Sequence, residues 1–97
     1  MDNRTYLTIL YDYYGELFNE HQQAFFEEYY FQNNSLGEIS ENNNVSRSAV
    51  HKLIKAVEEK LTEYEEKLSL YKKGTELEKI INSIDDEKLK KELELLK

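Results

Sequence analysis

Residues 35–55 read SLGEISENNNVSRSAVHKLIK, and the order of polar and apolar positions in this stretch decides how the chain folds. Ser35 is an N-cap residue type with Glu38 three positions on, the spacing of a capping box. Leu36, Ile39 and Ser40 then fall on the inward side of a short helix. The triplet Asn42-Asn43-Asn44 ends it, because Asn tolerates the left-handed region and hydrogen-bonds its own backbone. Val45-Ser46 restarts the chain. Ser46 is a second N-cap, and Val45 with Val50 has the spacing of a hydrophobic staple. Two helices with a sharp break between them predict a helix-turn-helix over 35–55.

The second helix carries no stop signal before Gly74, so the pattern predicts one long helix over 46–73. At about 1.5 Å per residue it would run roughly 40 Å. Val50, Ile54, Val57, Leu61, Tyr64, Leu68 and Tyr71 alternate steps of four and three, the a/d seam of a coiled coil. Leu53 widens the first part of this seam into a core face. Beyond it, Val57, Leu61, Tyr64, Leu68 and Tyr71 form a candidate stalk or dimer seam, and a homodimer is expected. Glu63 and Lys67 make an i,i+4 pair in the favourable order.

Outward from this segment the chain stays helical. Tyr6, Ile9, Leu10, Tyr13 and Leu17 share a face, predicting a first helix over 4–14 that Gly15 ends in a left-handed C′ conformation. Asn19 and Gln22 form a second capping-box pattern with Phe18 as a staple. The helix that follows, 20–32, shows a broad aromatic face of Phe25, Phe26, Tyr29 and Tyr30. After Gly74, Leu77, Ile80, Ile81 and Ile84 lie on one face, and Asp85 caps a last helix with Leu89, Leu93 and Leu96 as its stripe. These helices over 75–97 are too short to persist alone and must pack on something. The expected architecture is a single all-α domain, 1–97. In it a helix-turn-helix domain extends its long recognition helix into a coiled-coil-like stalk, followed by a C-terminal helical pair.

Composition narrows the function classes. The 97 residues hold no Cys, no Pro and no Trp, so disulfide and thiolate chemistry are excluded. No apolar run approaches the roughly 18 residues of a membrane span, and no secretion signal opens the chain. A cytoplasmic protein without membrane insertion is expected. His21 and His51 have no second ligand at metal spacing. No nucleophile–base pair, phosphate loop or carboxylate pocket is visible, so neither enzyme activity, a metal nor a cofactor is expected. The tyrosines at 11–14 and 29–30 sit at helical spacing and are assigned to the core rather than to base stacking.

Charge points to one surface. The net charge is −7, yet residues 46–57 contain no acid against Arg47, Lys52 and Lys55. Residues 1–32, by contrast, hold six acids and Arg4. On the long helix, Arg47, His51 and Lys55 follow at i, i+4 and i+8, one exposed line. Arg47, Ser48, His51, Lys52 and Lys55 are therefore the candidate nucleic-acid-binding residues. Arg47 and Lys52 are suited to bases or phosphates near the helix N-terminus. The competing reading is an ordinary solvated face.

The order Leu36, Glu38, Ile39, then Val45-Ser46-Arg47, then Ala49-Val50 and Ile54 resembles the helix-turn-helix signature of sigma factor region four. LFNEHQQAFFEEYYF at 17–31 is similar to the helix that supports that motif. LYDYYGELF at 10–18, SLGEI at 35–39, VSRSAVHKLIK at 45–55 and YEEKLSLY at 64–71 together resemble the YlxM family of helix-turn-helix proteins, over about residues 4–73. That resemblance implies an all-helical fold, a DNA-binding motif and a regulatory role. It also implies a link to the signal recognition particle, since the family's gene lies beside those of the particle's protein and receptor. DNA and the particle's protein or RNA components are then the implied partners. The alternative is a protein-interaction module that modulates the particle or its receptor through its acidic faces. Two positions depart from the pattern. Asn44 stands where Gly is usual before Val-Ser, and Ser40 where a small Ala follows Glu-Ile, so its hydroxyl needs a partner.

Overall fold

In the computed structural model, residues 1–96 are described, and they contain six α-helices and no strand. In chain order these are α1 (Asn3–Tyr14), α2 (Glu20–Tyr30), α3 (Leu36–Asn43), α4 (Arg47–Leu68), α5 (Leu70–Asn82) and α6 (Glu87–Glu94), with a 3-10 turn at Gly15–Leu17. The caps predicted at Asn19, Ser35 and Ser46 form. The Asn19 and Gln22 side chains exchange hydrogen bonds with each other's backbone N–H at 2.8 and 2.9 Å. Ser35 and Glu38 do the same at 3.1 and 2.9 Å. Ser46 accepts from the Ala49 N–H at 3.1 Å. Asn44 takes the left-handed conformation, φ 54° and ψ 45°, that lets the chain turn between α3 and α4.

α4 is the axis of the molecule. Its first half packs Val50 and Ile54 with Phe25 and Ile39, closing the helix-turn-helix. Its second half packs Val57 and Leu61 with Leu7, Leu10, Tyr14, Phe18 and Phe26 from α1, α2 and the turn between them. Tyr30 and Leu53 touch both groups and join them into one core. The heptad-like spacing on α4 is thus filled from within the chain. Val57 and Leu61 are fully buried. Tyr64 meets Tyr14 and Phe18 at ring distances of 5.8 and 5.9 Å, and Tyr71 meets Tyr6 and Tyr13 at 6.0 and 6.1 Å. Of the proposed seam, Leu68 alone is largely exposed.

Three boundaries differ from the sequence reading. Gly15 is right-handed, φ −56°, and begins the 3-10 turn instead of closing a left-handed cap. Its value is space: a Cβ there would lie 3.1 Å from the Tyr11 ring, which stacks on Phe26 at 4.3 Å. The long helix does not reach residue 73. It ends at Leu68, where Ser69 turns left-handed at φ 54°, and α5 passes through Gly74 as helix. The cause lies in α1. The buried Tyr14 hydroxyl donates to Glu65 Oε1 at 2.6 Å and accepts from the Leu70 N–H at 3.0 Å. The Glu65 carboxylate accepts from the Tyr71 and Lys72 N–H groups, each at 3.1 Å. A carboxylate from the last turn of α4 thereby caps α5, satisfying donors that a straight helix would have paired internally. Finally, Asp86 rather than Asp85 caps α6, accepting from Lys88 and Leu89.

The C-terminal pair packs on the α1 side through α5, where Gly74 leaves room for the Tyr13 hydroxyl, 2.9 Å from where a Cβ would stand. α6 meets α5 and buries none of its residues. The molecule extends 55 × 24 × 24 Å. No described helix is long and apolar enough to cross a membrane.

Candidate nucleic-acid interface

Because Val50 and Ile54 are drawn into the core, the helical period turns Arg47, Ser48, His51, Lys52 and Lys55 outward, and all five are exposed. They occupy the first turns of α4, whose start is fixed by the Ser46 cap. The surface divides into two flanks. Ser48 and Lys52 lie on one, with the Ser48 hydroxyl 3.4 Å from that of Ser46. Arg47, His51 and Lys55 lie on the other, beside α2 and α3. His51 and Lys55 line a shallow cleft of about 180 Å³ with Tyr29, Leu36, Ile54 and Glu58. Arg47 lies against α3. A Cβ added at Gly37 would sit 2.6 Å from Arg47 Nη2, 3.5 Å from Cζ and 3.6 Å from Nε.

Polar contacts hold the frame beneath this surface. The Ser40 hydroxyl, the group that needed a partner, donates to the Val45 carbonyl at 2.6 Å across the turn. Glu28 of α2 accepts from Asn42 and Asn43 at 3.3 and 2.9 Å, tying α3 to α2. Asn43 also donates to the Ile39 carbonyl at 2.8 Å, so the Asn-rich break is a joint with a partner on each side. Tyr30 donates to Glu58, linking α2 to α4. Burial first, and then this bond, push the Tyr30 phenol far above the ordinary tyrosine range. Glu38 is committed to its capping box, where the Ser35 backbone bond lowers its pKa.

Arg4, the lone base of the N-terminal third, is committed elsewhere. It donates to the Tyr29 carbonyl at 2.8 Å and lies over the Tyr30 ring, closing the C-terminal end of α2. Ion pairs on α4 begin past the candidate face, with Glu63 between Lys60 and Lys67. Within α4, the bases without an acid beside them in sequence are therefore those of its first half. Gly37, Glu28 and Glu58 were not legible as parts of this site. Their roles come from contacts across helices.

The arrangement matches a helix-turn-helix in which the second helix presents its N-terminal residues to a nucleic-acid groove. A family model described as "putative helix-turn-helix protein, YlxM / p13 like" matches residues 1–97. The chain is 48% identical to a UPF0122 protein of Desulforamulus reducens over 83 residues, covering 81% of this chain and 71% of that protein. It is 45% identical to a UPF0122 protein of Caldanaerobacter subterraneus over 85 residues, 88% of this chain and 73% of that one. A UPF0122 protein of Listeria welshimeri is 40% identical over 100 residues, covering 94% of this chain and 91% of the relative.

Proposed function

The chain belongs to the UPF0122 family of YlxM/p13-like helix-turn-helix proteins, and from that premise we propose that it is a cytoplasmic DNA-binding regulator that reads duplex DNA with the start of α4. This is a helix-turn-helix family rather than a family of enzymes. The observation that carries the reading is the exposed face of Arg47, Ser48, His51, Lys52 and Lys55 on the second helix of the motif, within a stretch, 46–57, that holds no acid. Arg47 and Lys52 supply charge, and Ser48 and His51 supply hydrogen-bonding groups at the same depth along the helix.

Charge sets the strength. About three phosphate contacts give a salt slope near −2.7, at roughly −0.9 per contact. The acidic remainder of a chain with net charge −7 opposes approach beyond the contact itself. A single copy is a weak binder, so the working form is a homodimer that doubles the footprint. The charge-reversed variant Arg47→Glu/Lys52→Glu tests the assignment in a mobility shift with mixed genomic fragments at low and physiological salt. We expect retarded complexes for the unaltered protein at low salt, weakening steeply with salt, and none for the variant. Full binding by the variant would remove the assignment of α4.

A second reading is favoured by a different surface. Tyr13, Leu70, Gly74, Leu77 and Leu96, with Lys73 and Glu78, line a mostly apolar groove of about 460 Å³ between the end of α1 and the C-terminal helices, remote from the basic face. Through it the protein would act as an interaction module on the signal recognition particle or its receptor, the pathway that the family resemblance implies. Binding to the purified particle protein, receptor and RNA separates the readings, because the α4 variant abolishes DNA binding and spares a contact made by this groove.

A further inference from the structure

Gly37 is out of place by local rules. It is the second residue of α3, a helix of eight residues, where Gly gives up helix propensity relative to Ala. Its backbone offers no reason, since no glycine of the chain has a positive φ. The reason is above it. The three atoms nearest a Cβ at Gly37 all belong to the Arg47 guanidinium, the closest at 2.6 Å. The guanidinium lies across the bare backbone of α3, and any side chain there would lift it. Among the described residues, Arg47 has no ion pair and no side-chain hydrogen bond to protein. The guanidinium thus rests over Gly37 while its donors stay available.

We infer that Gly37 is a positioning residue that seats Arg47 against α3 as a fork for a backbone phosphate of the duplex. This rests on the DNA-binding reading above. A guanidinium laid back along α3 sits at the flank of the recognition helix rather than at its tip, where base edges would be met. A planar fork suits two oxygens of one phosphate, and a groove over Gly37 that favours this one placement lessens the ordering of a long side chain on binding. Arg47 therefore contributes affinity without sequence preference, and Lys52 and Ser48, on the other flank, are left to face the bases.

The test compares four full-length proteins (unaltered, Gly37→Ala, Arg47→Ala and the double variant) for binding to random-sequence duplex DNA across a salt series, with thermal melting measured on each. Gly37→Ala is expected to hold or raise the melting temperature, because Ala is the better helix former and the colliding atom is the mobile end of a side chain. Its affinity should nevertheless fall roughly tenfold, the low end of the worth of one charge-assisted hydrogen bond, and its salt slope should shrink by up to about 0.9. Arg47→Ala should lose as much, and adding Gly37→Ala to it should lose nothing further. If Arg47→Ala weakens binding and Gly37→Ala does not, the positioning role is overturned and the DNA-binding reading stands. The positioning role also falls if Gly37→Ala weakens binding equally in both backgrounds, or lowers the melting temperature in step with affinity. If neither Arg47→Ala nor Arg47→Glu/Lys52→Glu changes binding, the DNA-binding reading itself has failed.

Discussion

Three phenols donate to three carboxylates across helix boundaries: Tyr11 to Glu27 at 2.7 Å, Tyr14 to Glu65 at 2.6 Å, and Tyr30 to Glu58. They tie α1 to α2, α1 to α4 and α2 to α4. In each case burial is the first cause and the carboxylate the next, and all three phenols are raised above the ordinary value of 10.0. The direction fixes a pH dependence. Below pH 10 folded and unfolded chains both keep these protons, and the bonds contribute in full. Above it the unfolded chain releases protons that the folded chain holds, so stability falls as pH rises toward the folded-state values. For the fully buried Tyr14 the slope is at most about 1.4 kcal/mol per pH unit; Tyr11 and Tyr30, partly exposed, contribute less. The urea midpoint should stay level from pH 8 to 9.5 and drop above 10. In Tyr14→Phe the midpoint should be lower at pH 8 and its alkaline decline shallower. A midpoint unchanged through pH 11 would mean that these phenols ionise freely in the folded protein.

At the scale of elements, what could be read from sequence is what is settled within a few residues. The Asn19–Gln22 and Ser35–Glu38 boxes, the Ser46 cap and the Asn44 turn each involve partners at most a turn away, and each forms. The stretch from 46 to 73 is different. Every local signal there favours one helix, and the break comes from Tyr14, whose hydroxyl reaches the Leu70 N–H from 56 residues upstream. For the same reason, the apolar spacing on α4 could not say whether a second copy or the chain's own α1 would fill it. Ser69 makes the break measurable. An L-residue in the left-handed region costs about 1–2 kcal/mol that Gly does not incur. Ser69→Gly should therefore stabilise the protein by roughly 0.5–1 kcal/mol after the extra freedom of Gly in the unfolded chain is allowed for. Were residues 46–73 a continuous helix, the same change would instead destabilise, since Gly is poor in a helix interior. Chemical denaturation reads the sign directly.

At the scale of the molecule, the body is 55 Å long, and the basic face and the last two helices are distinct parts of it. The basic face is at the start of α4, and exposed apolar residues occur along the whole body: Leu17 58% and Phe31 50% on either side of α2, and Ile80 57% and Leu89 44% on the last two helices. Val57 and Leu61, once candidates for an intermolecular seam, have no surface left to offer, being fully buried beneath α1. The proposed homodimer would therefore form elsewhere, and we place it on the uncovered faces of α5 and α6, where Leu70, Ile80 and Leu89 are exposed. This placement leaves both basic faces open, whereas pairing along α4 would have required α1 to move aside. Light scattering at tens of micromolar should give the mass of two chains, and Ile80→Glu/Leu89→Glu, which leaves the core of α1–α4 untouched, should give one. The two proteins should also differ on DNA. The dimer's salt slope should approach twice the roughly −2.7 of a single copy, and the variant's should return to it. A monomeric unaltered protein would end the dimer proposal and leave three bases as the whole electrostatic footprint. A dimer that survives the double substitution would instead place the interface away from α5 and α6.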